Sequence, residues 1–295
     1  WKFAVEDGGF ESAPAIVDGV VYQSGSYGKV FALDAKTGEK KWIFEGKLGF
    51  SASPAVRDGR IFIGDLDGNI YCLDAKTGEK IWGRNLETEI GSSANFYKDN
   101  VLFGAEGGTL FCLKATDGKP VWKYSIDEPI RCSPTVVENR CFLAGCDGKL
   151  HIVDLDKGEA VDAVDIKSPA GSTPAVHGDR AFFGTSDGTF FCVDWKNAKI
   201  VWSYFDDVNA AEIRSSAAVN GKQAIVGDRG RRVYAMNAAN GDFLWEFLTK
   251  RNVDCSPVIV GKRVFFGADD GVIYGLNIAG GKEVWRDEAG GCFLG

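Results

Sequence analysis

The 295-residue chain is poor in the side chains that most chemistry at neutral pH depends on. It has one methionine and two histidines, His151 and His177. So few imidazoles exclude a His-rich metal centre and the His-Glu-x-x-His zinc signature. The eight cysteines show no Cys-x-x-Cys spacing, and no phosphate-binding loop is present. No run approaches the roughly 18 consecutive apolar residues of a membrane helix. No stretch sustains a helical apolar period either. Positive charge is in deficit, with 34 Lys and Arg against 41 Asp and Glu, a net charge of −7. That balance argues against nucleic acid as a partner.

What the chain has in abundance is repetition. A small residue followed by Pro or Ala recurs at Pro14, Pro54, Ala94, Pro134, Pro174, Ala217 and Pro257, in steps of 40 with a single step of 43. Between these positions Asp34-Ala-Lys-Thr-Gly-Glu-Lys-Lys-Trp42 returns as Asp74 to Trp82 and, more weakly, five more times. Such a period marks an array of one supersecondary unit. Within the unit, Ser53-Pro-Ala-Val56 reads as a first strand, Arg60–Gly64 as a second, Asn69–Leu73 as a third, and Lys80-Ile-Trp82 opens a fourth. Asp-Gly and Thr-Gly turns join them. Four short hairpin-linked strands in about forty residues make one propeller blade.

The expected fold is therefore an all-β propeller of four-stranded antiparallel blades, seven in number, in one domain over residues 1–295. An eight-bladed parent is the alternative, because Trp1-Lys-Phe-Ala-Val5 also resembles a fourth strand. The turn glycine between strands two and three is expected at Gly28, Gly68, Gly108, Gly148, Gly188, Gly230 and Gly271. The fourth-strand tryptophans, Trp42, Trp82, Trp122, Trp202, Trp245 and Trp285, are expected to pack between blades, with Asp162 breaking the run. Cys72, Cys112 and Cys192 share one repeat position and read as small buried apolar residues.

The pattern Ser-Pro-Ala-Val … Tyr-x-Leu-Asp-Ala-x-Thr-Gly-Glu-x-x-Trp resembles the pyrroloquinoline-quinone-type propeller repeat. That family includes quinoprotein alcohol dehydrogenases and a non-enzymatic, BamB-like branch. The resemblance to the enzymes implies a vicinal Cys-Cys pair over the quinone and a calcium-binding carboxylate and amide set. This sequence has no adjacent cysteines and no insertions to hold such a set, so no catalytic, cofactor or metal residue carries over. The resemblance to the BamB-like branch implies a non-catalytic scaffold or adaptor that binds other proteins, without a cofactor, in the periplasm or another extracytoplasmic space. The alternatives are a small-ligand sensor or carrier, and a quinone-dependent oxidoreductase.

Two sets of residues are candidates for contact. Arg229, Arg231 and Arg232, with Lys250 and Arg251, form the densest basic cluster and lie beside the three-residue insertion between Trp202 and Ala217. Clustered arginines can pair with carboxylates in forked geometry. The face that carries them is otherwise acidic, from Glu6 and Asp7 round to Asp269 and Asp270. The second set, Glu11, Arg131, Arg214 and Asp254, opens the innermost strands and is expected at the mouth of a central channel. Asp65-Leu-Asp67-Gly68-Asn69 resembles the start of a calcium loop, but its glycine falls early and Lys76 stands at the twelfth position. His151, where other repeats carry Phe or Tyr, reads as a packing residue.

Overall fold

The structure, a computed structural model, describes residues 1–5 and 8–289. They form 28 strands and no helix. The first sheet comprises β1 (Ala15–Val17), β2 (Val20–Ser24), β3 (Lys29–Asp34) and β4 (Lys40–Glu45), hydrogen-bonded in that order. Six more sheets repeat the order, giving the seven antiparallel blades of a β-propeller fold. Two compact units divide the chain, Trp1–Asn139 with Asp154–Glu159, and Arg140–Val153 with Ala160–Gly295.

The repeat's small residues are explained by what stands opposite them. Ala32 pairs across the strands with Trp42, Cys72 with Trp82, Cys112 with Trp122 and Cys192 with Trp202. An indole beside the third strand leaves room only for a small side chain there. Burial pushes the thiol of Cys72 up to about 11 and those of Cys112 and Cys192 up to about 12, which keeps them protonated and unreactive.

Five of the six fourth-strand indoles also fasten their blade to the next, whereas Trp285, expected to pack in the same way, is exposed on the seventh blade. Trp42 Nε1 donates to the Ala75 carbonyl at 3.1 Å, and Trp82 to Ala115 at 3.0 Å. Trp122, Trp202 and Trp245 do the same to Leu155, Ala238 and Ile278. The ring lies over the glycine of the receiving turn: a Cβ on Gly78, whose φ is +77°, would stand 2.6 Å from the Trp42 ring. Glycine is needed there for both its backbone and its missing side chain. Where Asp162 replaces the tryptophan, the neighbouring turn compensates. Trp195 occupies the position of Ala75 and Ala115, packs 5.4 Å from Phe142, and donates to the Gly178 carbonyl.

The innermost strands carry a second relay. The amide of Ala13 donates to Ser53 Oγ, that of Ser53 to Ser93 Oγ, and that of Ser93 to Ser133 Oγ, at 2.9–3.1 Å. In the second unit Thr173 and Ser216 donate to Ser216 Oγ and Ser256 Oγ in turn. The serine at this repeat position, before Pro or Ala, is thus a hydroxyl acceptor for the preceding blade in Ser53, Ser93, Ser133, Ser216 and Ser256.

Two expectations are corrected. Trp1–Val5 forms no strand, because a strand is defined by a hydrogen-bonded neighbour and none lies beside it; Glu283–Glu288 is the fourth strand of the seventh sheet. In the sixth blade the turn position equivalent to Gly68 is Arg231, not Gly230. Arg231 has φ +67°, matching Gly28, Gly68, Gly108, Gly148, Gly188 and Gly271 in the other blades.

Candidate partner-docking site

The sixth-blade hairpin begins with Asp228, fully buried at the end of strand Gln223–Gly227. Burial raises its carboxyl above the usual range, opposed by the Arg232 guanidinium beside it. Arg232 opens the next strand, and its side chain is almost wholly spent. Nε donates to Asp228 at 2.9 Å, Nη1 to Asp206 at 2.6 Å, and Nη2 to the Asn209 carbonyl at 2.7 Å. Asp206 also accepts the amides of Val208 and Asn209, closing a tight turn. The hydrogen bond from Arg232 and those amides hold the Asp206 carboxyl down at about 2. One buried arginine therefore pins the three-residue insertion to the hairpin.

Arg229 turns the other way. Its Nη1 lies 3.2 Å from Glu212, which also pairs with Arg214 at 3.0 Å. Arg229 Nε faces Asp254 Oδ1 at 3.4 Å, outside hydrogen-bond geometry, and both atoms are buried without another hydrogen bond. Burial raises the Asp254 carboxyl, and Arg229 opposes the rise. Arg214, Glu212, Arg229 and Asp254 thus form a line of alternating charge that joins the two candidate sets. In the first unit Arg131 pairs with Glu106 at 3.3 Å, and Glu11 is exposed.

The remaining cations behave differently. Arg231, Lys250 and Arg251 are exposed, and none of the described ion pairs uses them. Their backbones are held together by Thr249. Its amide donates to the Arg231 carbonyl, and its hydroxyl lies 3.0 Å from that oxygen and 2.5 Å from the Arg251 carbonyl. Asp270 accepts the Lys250 amide. The candidate basic cluster therefore splits: Arg229 and Arg232 work inside the protein, while Arg231, Lys250 and Arg251 face outward. Sequence spacing did not separate them, since burial of alternate hairpin residues is set by the insertion packed against them. The acids Glu6 and Asp7 lie outside the described residues.

Other local motifs are structural. Asp65, fully buried, accepts from the Asn69 amide and side chain and from the Tyr71 hydroxyl at 2.8 Å. In the same way Tyr274 donates to Asp270, and His151 Nε2 lies 2.8 Å from Asp147. A pattern missed on the sequence, Gly184-Thr-Ser-Asp-Gly188, has the Gly-x-Ser-x-Gly form. It is a strand-to-strand hairpin whose Asp187 binds Thr185 and Thr189, not the strand-to-helix elbow that exposes a nucleophile. Among the described residues no three His, Cys, Asp or Glu side chains converge to hold a metal ion.

Comparison with known proteins adds the following. The family profile described as outer membrane protein assembly factor BamB matches residues 66–205, 147–247 and 207–292. The profile of the glucose/ethanol/alcohol dehydrogenase β-propeller domain matches residues 3–49. The crystal structure of BamB from Moraxella catarrhalis is similar with a TM-score of 0.83 and 22% identity, over 96% of this chain and 89% of that one. The quinohemoprotein alcohol dehydrogenase of Comamonas testosteroni has the same TM-score at 15% identity, over 97% of this chain and 68% of the enzyme. At such identities the likeness speaks for the fold. Quinoprotein alcohol dehydrogenase PedE of Pseudomonas putida is 47% identical over 51 residues, which is 16% of this chain and only 8% of that enzyme.

Proposed function

The chain belongs to the family of the outer membrane protein assembly factor BamB, and from that premise we propose that it is a non-catalytic propeller scaffold that docks other proteins. The docking patch is Arg231, Lys250 and Arg251, and the partner presents carboxylates to it. The observation that carries this reading is the backbone of Arg231. Six sister hairpins use glycine at this left-handed position, while the sixth blade places a side chain there at a cost of about 1–2 kcal/mol. Strain retained at one exposed copy of a repeat points to a role for that side chain. The buried Arg232 and the insertion it pins give the patch a rigid base.

The family's printed description supports an extracytoplasmic setting and a place in assembly at the outer membrane. The 51-residue match to a quinoprotein dehydrogenase falls on the blade-building repeat, so it supports the fold rather than the reaction.

The test is a triple variant, Arg231→Ser, Lys250→Ser and Arg251→Ser, in a binding assay with a purified partner. Rim charges act mainly through the rate of encounter. The expected result is association slowed about tenfold or more at low salt, with the salt dependence flattened. Unchanged rate and unchanged salt dependence would sink the reading. Oxidation of an alcohol by the purified protein supplied with quinone and calcium would replace it by the enzymatic one.

A further inference from the structure

An exposed apolar side chain just before the fourth-strand tryptophan position belongs to the repeat, at Ile81, Val121, Val161, Val201, Leu244 and Val284. Four others in the second unit depart from the repeat. The last residue of the fourth strand faces the first residue of the third, and it is polar at Glu45, Asn85, Ser125 and Glu288. In the sixth blade it is Leu248, opposite Arg232 and 65% exposed. In the fifth blade the same place, next after Tyr204, belongs to Phe205, which is 53% exposed. Phe243, 45% exposed, stands where the first, second and seventh blades carry Lys40, Lys80 and Glu283. The fourth is Val208, 82% exposed in the tight turn that Asp206 closes.

One buried residue gathers the four. Arg232 grips Asp206 and the Asn209 carbonyl, so the turn that carries Phe205 and Val208 is held against the sixth blade. Leu248 is the direct cross-strand neighbour of Arg232, on the same face of that sheet. Further along that face Phe243 meets Tyr204, the residue before Phe205, with ring centroids 6.0 Å apart. The equivalent cleft between the first and second blades presents Glu45, Lys47, Lys80, Arg84 and Asn85 instead. The sixth-blade cations adjoin the apolar group directly. Leu248 leads into Thr249, whose amide and hydroxyl bind the Arg231 carbonyl, and then into Lys250 and Arg251.

Exposed apolar side chains gathered beside a polar rim mark a protein contact. Such a contact draws its affinity from the apolar centre and its encounter rate from the charged rim. We propose that Phe205, Val208, Phe243 and Leu248 are the apolar half of the sixth-blade docking site, and that what docks is an acidic protein segment with large apolar side chains set between its carboxylates. The proposal rests on the docking role of Arg231, Lys250 and Arg251 and adds the chemistry of the partner. The cations answer its carboxylates, and the four apolar side chains answer the residues between them. The chain's net charge of −7 opposes an anionic lipid surface, whereas a narrow segment meets only this cationic sector.

The probe is a short synthetic peptide in which a phenylalanine and a leucine stand between aspartates and glutamates, titrated against the full chain. A control peptide carries serine in place of the two apolar residues. The expected result is saturable binding of the first peptide, weakened at least about tenfold in the control and in the double variant Phe205→Ser, Leu248→Asn. The double variant should keep the salt dependence of the parent, because its cations are intact, while Arg231→Ser, Lys250→Ser and Arg251→Ser together flatten it. Equal affinity for the two peptides, or an unaffected double variant, overturns the proposal; if the cation variant still weakens binding, the docking role of the cations stands. Absence of saturable binding by the first peptide also overturns the proposal, and the docking role keeps its own test with a folded partner. Binding to phosphatidylglycerol vesicles that the double variant loses would make a lipid surface the occupant, and self-association that it loses would make a second copy the occupant; either result overturns the proposal. Should the double variant melt below the parent, Val208→Ser decides by the same titration, with an expected loss of about threefold or more. Unchanged affinity in a folded Val208→Ser protein contradicts the proposal.

Discussion

The second and sixth blades begin from the same hairpin, with a buried aspartate at its first position, and they satisfy that aspartate in opposite ways. In the second blade Asp65 is closed off locally by Asn69 and Tyr71. In the sixth, Asp228 is met by Arg232, which reaches beyond the hairpin to Asp206 and Asn209. The turn position follows suit, with Gly68 relaxed in one and Arg231 strained in the other. An aspartate met by uncharged local donors makes a blade; one met by an arginine of longer reach anchors an insertion and displays cations. The difference shows how an array of identical units acquires one sector unlike the rest.

The largest effect is expected from breaking the two networks in parallel. Arg232→Ala leaves Asp228 buried without its counter-charge and frees the Asp206 turn, a loss of about 3–5 kcal/mol. Asn69→Ala leaves Asp65 with Tyr71 and backbone donors, and costs only about 1 kcal/mol. Urea unfolding of both variants checks the ranking, and equal losses would mean that the sixth-blade network is no more than a local hairpin contact.

A smaller effect separates the turn residues. Gly68→Ala brings a Cβ within 2.6 Å of the Thr88 carbonyl oxygen in a left-handed backbone, and is expected to cost at least about 1–2 kcal/mol. Arg231→Gly relieves comparable strain while loosening the unfolded chain by about 0.4–1 kcal/mol, so stability changes by less than about 1 kcal/mol. Thermal melts of the pair, with the Arg231→Gly protein also tested for partner binding, sharpen the contrast between architecture and display.

The smallest effect is pH-dependent and confined to the sixth blade. The Asp206 carboxyl, held at about 2 by Arg232 against an ordinary value of 3.8, favours the folded turn most fully above the ordinary value. That contribution fades as pH falls from about 4 towards 2. Limited proteolysis with pepsin between pH 5 and 2, normalised at each pH to cleavage of an unstructured peptide because pepsin itself titrates in this range, should show cleavage near residues 206–210 rising only below about pH 4. In Asp206→Asn the cleavage should be high and flat across the range.

Much of this was legible in the sequence. The forty-residue step, the Asp-Gly and Thr-Gly turns and the recurring tryptophan announced four-stranded blades, because local turn chemistry and strand alternation act within one repeat. The small Cys and Ala residues were visible as a class, and only the register explained them by setting Trp42, Trp82 and Trp122 opposite. The sixth-blade hairpin misled, since Gly230 offered a glycine one residue too early. The turn's left-handed position is fixed by strand pairing on both sides, and Arg231 had to occupy it. Trp195 gave no sign of its role, which is to fill space left by Asp162 in the neighbouring repeat.

Composition and period by themselves determined the all-β class, the blade as the unit and the packing role of the tryptophans, since each rests on contacts between residues a few to forty positions apart. Only the tertiary structure decided which arginines are spent and which are offered. A charge is committed or free according to the carboxylates that folding brings beside it, and Asp206, Glu212 and Asp254 reach the sixth-blade hairpin only when the insertion and the inner strands pack against it.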